Sequence, residues 1–155
     1  RTHMLVSNAA KAALLGCSLG LPNVGGYLDF GHALMARENP AESVVLLSRL
    51  DRLVGVHVND NYGLGDDDIM VGSVHLWEMI EFLLTLDEVG YDGWLTLDLV
   101  PKREDVVAAC SGSIRAMETY ARLIASLDRT ALHVAQAEMD AISIQRMIHA
   151  ALGKA

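Results

Sequence analysis

The chain has 155 residues, of which 52% are hydrophobic and 21% are charged, and its net charge is −8. This length and apolar content predict one domain with a core and exclude a disordered chain. The absence of a Lys- and Arg-rich block argues against binding to nucleic acid, and no apolar run approaches the roughly 20 residues of a membrane span.

The first half of the chain is predicted to alternate helices with short strands. An Ala- and Leu-rich helix covers residues 4–17, and a short strand follows in "GYLDF", residues 26–30. Asn39 as N-cap and Pro40 at the first helical position indicate the start of the next helix. The Val-rich segment "LVGVHVND", residues 53–60, is typical of a buried parallel strand.

The second half continues the same alternation. A Gly- and Asp-rich loop at residues 61–73 precedes an amphipathic helix over 74–90 and a strand in "GWLTLDL", residues 93–99. Two helices are predicted after it, one over 106–127 and a single long one over 130–152. The order predicts an α/β fold with a parallel sheet. Three strands are few for a closed fold, so we expect this sheet to be part of a larger one.

The cysteines and the N-terminal residues give an indication of the cellular compartment. Cys17 and Cys110 are far apart and form no CxxC pair, which favours idle thiols in a reducing environment. The first residues lack the charged-then-apolar pattern of a signal peptide. We therefore expect a cytoplasmic protein that does not bind membranes.

Acidic and imidazole side chains occur where each predicted strand ends. In parallel α/β proteins the ligand site lies at these carboxyl ends, so the groups should converge. Gathered carboxylates repel one another unless a cation lies between them, and mixed oxygen and imidazole ligands suit Mn or Mg, with Co or Zn as further options. The predicted ligands are Asp29, His32, His57, Asp66, Asp68 and Asp98.

The loop carboxylates are predicted to alternate along an extended segment. In that conformation Asp66 and Asp68 would face one ion, and the intervening Asp67 would face solvent. Each feature alone also has an ordinary structural explanation. An Asp can cap a turn, a histidine such as His57 can be hydrogen-bonded inside a core, and "DDD" can be a solvated loop. Their joint occurrence at three successive strand ends favours the metal site.

Three segments of the sequence resemble a known family. "LDFGH", "GVHVNDNYGLGDDDIMVGS" and "GYDGWLTLDLVPKRED" are similar, in order and spacing, to the C-terminal half of the xylose isomerase-like TIM barrels. Xylose isomerase and L-rhamnose isomerase are the members they resemble most. The resemblance covers residues 1–128 and implies strands six to eight of a (β/α)8 barrel. Residues 129–155 would then form a C-terminal helical extension.

The resemblance implies a role for each predicted ligand in a centre with two divalent ions. Asp29 matches the carboxylate that bridges both ions. His32, Asp66 and Asp68 match the ligands of the second, catalytic ion, so they form the expected catalytic set.

The first, structural ion would be held by the remaining two residues, His57 and Asp98. The sequence also departs from the family pattern. Val100 occupies the position at which xylose isomerase has a lysine, and Lys102 and Arg103 lie nearby in the sequence. The resemblance therefore does not identify the substrate sugar. The opening "RTH" resembles the end of the "NEPR" segment after strand five. We therefore expect the ligands of the earlier strands to lie outside this chain.

The function implied by the resemblance is that of a metal-dependent aldose–ketose isomerase acting on a small sugar. One alternative is a single-metal sugar 3-epimerase of the same barrel family, whose last-strand ligand is Glu. An abasic-site endonuclease of this family would need a DNA-binding surface, which the acidic composition disfavours. The alternative from another class is a non-catalytic half-barrel. It would assemble as a homo-oligomer or with a separate N-terminal half, with residues 130–152 as a packing arm.

Overall fold

The computed structural model describes residues 4–153, which form an α/β fold with one parallel sheet. Helices separate the three strands as expected, although two helices and not one lie between the first and second strands, and further helices follow the third strand. Within the described part of the chain the elements are α1 (Ala9–Leu19), β1 (Gly26–Asp29), α2 (Phe30–Met35), α3 (Pro40–Arg49), β2 (Leu53–Val58), α4 (Leu76–Glu88), β3 (Leu95–Leu97), α5 (Val106–Ala125), α6 (Arg129–Ala137) and α7 (Ala141–Leu152).

The sheet has the order β1-β2-β3, and both pairings are parallel. Its register places Asp29 beside His57, and His57 beside Thr96. Asp98 follows β3, and its N–H donates to the Val58 carbonyl at 3.2 Å. The carboxyl ends of all three strands therefore lie side by side, which brings the predicted ligands to one edge of the sheet.

The two faces of the sheet differ. On one face, Leu28, Val56 and Val58 are buried. On the other face the Tyr27 ring lies 4.5 Å from the His57 ring, and its hydroxyl is 3.1 Å from the Thr96 hydroxyl. Tyr27 is nevertheless 51% exposed. This second face is therefore open, as expected for a sheet that is part of a barrel wall.

Side-chain caps start the helices next to the site. The Asp29 carboxylate accepts a hydrogen bond from the His32 N–H at 2.9 Å, which starts the short helix α2. No helix was predicted there. Asn39 accepts from the Glu42 N–H at 2.9 Å and has Pro40 after it, so the predicted start of α3 is confirmed.

The prediction of one long helix over residues 130–152 is wrong. Met139 has a left-handed backbone, with φ of 55°, between α6 and α7. Asp140 then caps α7 by accepting from the Ser143 N–H at 3.0 Å. An Asp cap and a left-handed residue together end one helix and start the next.

The chain divides into two compact units between Ser113 and Ile114, within α5. All three strands and all the predicted ligands lie in the first unit. The domain boundary expected after residue 128 stays a prediction. Over residues 4–153, no helix combines the length and apolar character that crossing a membrane requires.

Candidate metal centre

Asp29, His57 and Asp98 form a compact group at the carboxyl ends of the three strands. His57 Nδ1 lies 3.4 Å from Asp29 Oδ2 and 3.2 Å from Asp98 Oδ2. One ligand atom from each residue lies within 4.8 Å of the others. Two carboxylates and one imidazole at this spacing could contact a single divalent cation.

A second pair lies beside this group, between α2 and the loop that follows β2. His32 Nε2 is 2.9 Å from Asp66 Oδ1, and both side chains are about half exposed, at 57% and 49%. Because His32 follows the Asp29 cap by one helical turn, the two residues are fixed relative to each other. This pair is therefore open to a ligand from solvent, whereas Asp29 is buried.

Asn59 connects the two groups, although no role was predicted for it. Its Nδ2 lies 3.3 Å from both carboxylate oxygens of Asp29 and 3.2 Å from Asp68 Oδ1. Asn59 directly follows the Val-rich strand and is only 1% exposed. Its partners Gly31 and Asp29 are distant in the sequence, so no local pattern indicated its position.

The loop from Asp66 to Asp68 is not extended, so the predicted alternation is wrong. Asp68, the last of the three aspartates, has a left-handed backbone with φ of 47°, so the segment does not stay extended at this residue. Asp67 Oδ2 accepts a hydrogen bond from the Tyr62 N–H at 3.2 Å. Asp66 and Asp68 consequently reach different partners, His32 and Asn59.

The base of this loop is anchored by the buried carboxylate of Asp60. It accepts hydrogen bonds from the Val74 N–H at 2.8 Å and the His75 N–H at 2.9 Å, and the His75 ring lies at 2.8 Å. Asp60 also pairs with Ile69 in an isolated antiparallel bridge. The loop that carries the candidate ligands is thus tied at both ends.

Electrostatic effects link the two groups. Burial and the negative charges of Asp66, Asp98 and Asp29 raise the pKa of Asp68. Burial alone would lower the pKa of His32, but its hydrogen bond to Asp66 and the surrounding carboxylates outweigh burial and raise it. The site therefore favours added positive charge, either a proton or a metal ion.

Replacing Asp68 with asparagine is expected to raise the Tm of the metal-free chain near neutral pH. The pKa of Asp68 is raised on folding, so its ionisation opposes folding above its ordinary pKa. Below the ordinary pKa of aspartate, Asp68 is protonated in both the folded and the unfolded chain. Asp68→Asn should then no longer raise the Tm. Thermal unfolding in EDTA across a pH series measures this.

Asp51 provides the matched control for this substitution. It is exposed and has a similar left-handed backbone, with φ of 53°. Because asparagine tolerates this conformation at both positions, Asp51→Asn reports the backbone effect without the site's charges. An equal, pH-independent change in Tm for both variants would contradict the electrostatic explanation.

Two cavities in the first unit border the candidate ligands. One of about 540 Å³ is bordered by Asp29, His32 and Asp66. Another of about 350 Å³ is bordered by Asp68 and Lys102. Both volumes fall in the range of small-molecule sites.

A comparison with protein families gives one match that spans the site. Residues 3–129 match the family model described as xylose isomerase-like TIM barrel. No curated protein shows a significant match to the chain. The matched range includes every predicted ligand and Asn59.

Proposed function

The chain belongs to the xylose isomerase-like TIM barrel family, and we propose that it carries part of the active site of a metal-dependent aldose–ketose sugar isomerase. The family includes sugar isomerases and epimerases. The convergence of Asp29, His57 and Asp98 at three strand ends, with His32 and Asp66 beside them, supports this function most directly.

The donor set fits divalent cations. His57 and Asp98 would hold one ion, His32, Asp66 and Asp68 would hold a second, and Asp29 would contribute to both. Carboxylate oxygens favour Mn or Mg. When bound, such ions act as Lewis acids that polarise adjacent hydroxyl and carbonyl oxygens of a sugar.

His32 and Asp66, the half-exposed pair, are the side chains that would contact the substrate. Asp66 borders the larger cavity, where its carboxylate can accept hydrogen bonds from sugar hydroxyls. His32 can hold a proton at Nε2 beside Asp66 Oδ1, and the raised pKa of His32 favours this protonated form without an ion. Asp66 can therefore orient a small polyhydroxylated molecule next to the buried carboxylate of Asp29, and His32 would lie beside it as a ligand of the second ion.

We further propose that β1, β2 and β3 are strands six to eight of a (β/α)8 barrel. The open sheet face and the exposed Tyr27 support this assignment. The other strands would come from an N-terminal half or from another copy of the chain, because a barrel wall must close on itself.

The single-metal 3-epimerase is the second candidate. Its last-strand ligand is Glu, whereas Asp98 stands at the end of β3 here. The separate His32–Asp66 pair also favours a second ion.

Calorimetric titration with Mn²⁺ distinguishes these functions. The isomerase assignment predicts two ions per chain, and His32→Gln should reduce the number to one. The exposed His133 serves as a control position, since His133→Gln should leave both ions bound. One ion in the wild type would favour the epimerase, and no saturable binding would contradict both.

Sugar recognition is tested with an acyclic polyol such as xylitol, whose adjacent hydroxyls resemble those of an open-chain sugar. The polyol should raise the Tm only in the presence of Mn²⁺, because it binds through the ions. The Asp66→Asn variant should lose this effect. Equal stabilisation with and without Mn²⁺ would contradict a metal-dependent sugar site.

A further inference from the structure

The orientation of the Asn59 amide follows from its hydrogen bonds. The Gly31 N–H donates to Asn59 Oδ1 at 2.9 Å. Since only the oxygen of the amide can accept this bond, Nδ2 must point away from Gly31. The donor end of a buried side chain is thereby directed at Asp29 and Asp68.

Both N–H groups of Nδ2 have carboxylate partners. One can bond to Asp29, whose oxygens both lie at 3.3 Å, and the other can bond to Asp68 Oδ1 at 3.2 Å. Both donors of the amide therefore have partners, and they hold Asp29, which is assigned to both ions, and Asp68, which is assigned to the second.

We propose that Asn59 is a positioning residue that keeps Asp29 and Asp68 at the spacing required for divalent cations. This inference rests on the proposed function. A neutral amide suits the task because it restrains both carboxylates without neutralising the negative charge that attracts the ions. A lysine in its place would compete with them electrostatically.

The chain contains a matched control for this proposal in Asn61. It is also 1% exposed, and its Nδ2 donates to the carbonyl of the same residue, Gly31, at 2.8 Å. Its Oδ1 accepts from the Gly63 N–H at 2.7 Å. Asn61 thus supports the same backbone as Asn59 through bonds that do not involve the candidate ligands.

The test compares Mn²⁺ affinity and Tm in Asn59→Ala and Asn61→Ala. Both substitutions should lower the Tm, because each removes a buried amide that bonds to Gly31. Only Asn59→Ala should weaken Mn²⁺ binding, by about 10- to 100-fold, as is typical when a partner of a metal ligand is removed. Equal affinities in the two variants would overturn the inference and leave Asn59 a structural role alone.

Asn59→Asp keeps the test valid if Asn59→Ala does not fold. An aspartate of the same shape can still accept from the Gly31 N–H, but it places a third carboxylate between Asp29 and Asp68. The Tm in EDTA should fall, and Mn²⁺ binding should weaken as in Asn59→Ala, because the two N–H donors that hold Asp29 and Asp68 are lost. Wild-type Mn²⁺ affinity in Asn59→Asp would overturn the inference.

The experiment distinguishes a failure of the proposed function from a failure of the role proposed for Asn59. If the wild type binds no Mn²⁺, the proposed function and the inference are both wrong. If the wild type binds Mn²⁺ and Asn59→Ala binds it as tightly as Asn61→Ala does, only the inference is wrong.

Discussion

Replacing Asp29 with asparagine is expected to weaken Mn²⁺ binding by about 100-fold or more, since even indirect partners of metal ligands contribute about 10- to 100-fold. Asp29 is the buried carboxylate of the site and lies next to His57 and Asn59. It is also the carboxylate assigned to both ions, so its loss should affect them together.

The fold should survive this substitution, because asparagine can also cap a helix. Asp29 starts α2 by accepting from the His32 N–H, and the Oδ1 of an asparagine can accept the same bond. Its amide NH₂ would then face the Nδ2 of Asn59, so a modest fall in Tm is expected. The loss of metal affinity should be much larger than this fall explains.

Asp67→Asn is the control for the change in charge. Asp67 lies among the three consecutive loop aspartates, but its Oδ2 accepts from the Tyr62 N–H. Calorimetric titration with Mn²⁺ should show near wild-type affinity for Asp67→Asn and a large loss for Asp29→Asn. Similar affinities in both variants would mean that Asp29 does not bind the ion.

Replacing Gly31 with alanine is expected to lower the Tm by roughly 5 °C, because overpacking a tight interior costs about 1–3 kcal/mol. A Cβ at this position would lie 2.6 Å from Asn59 Oδ1 and 2.7 Å from Asn61 Nδ2. Both amides would have to move, and their bonds to Gly31 would be disturbed. The better helix propensity of alanine, worth about 1 kcal/mol, offsets only part of this cost.

Gly65→Ala is the control for adding a methyl group nearby. Gly65 has open space around the position of its Cβ. Thermal unfolding of the metal-free proteins should show a much smaller change for Gly65→Ala than for Gly31→Ala. A Gly31→Ala chain as stable as the wild type would show that the amides of Asn59 and Asn61 can shift without cost.

The strand ends could be predicted from the sequence because they depend on local patterns. The Val-rich segment at 53–60 identified β2, and the alternation with helices indicated a parallel sheet. Parallel order then places Asp29, His57 and Asp98 at the same edge, whatever the details of packing. These residues form the group that the structure brings together.

The position of Asn59 and the left-handed backbone of Asp68 were not predicted, because both depend on contacts between residues that are distant in the sequence. Asn59 gains its place from the backbone of Gly31, which is 28 positions away in the sequence. The left-handed backbone of Asp68 likewise belongs to a loop whose base is closed by Asp60 and Ile69. No pattern within the "DDD" segment itself specifies this turn.

The break between α6 and α7 is a different kind of miss, because a local signal was present. Asp140 is followed three positions later by Ser143, and both side chains take part in the cap. The apolar residues on either side continue with helical spacing, which led to the prediction of one helix. The cap and the left-handed Met139 outweigh that pattern.

The most direct test of the metal centre is an NMR titration with Mn²⁺ that follows the ring protons of His57 and His32. A paramagnetic ion at the ends of the strands should broaden both signals at less than one equivalent, and Asp29→Asn should prevent the broadening at that concentration. Mg²⁺ at saturation should shift the same signals without broadening them. Unchanged His57 and His32 signals at saturating Mn²⁺ would contradict a divalent metal site at this edge of the sheet.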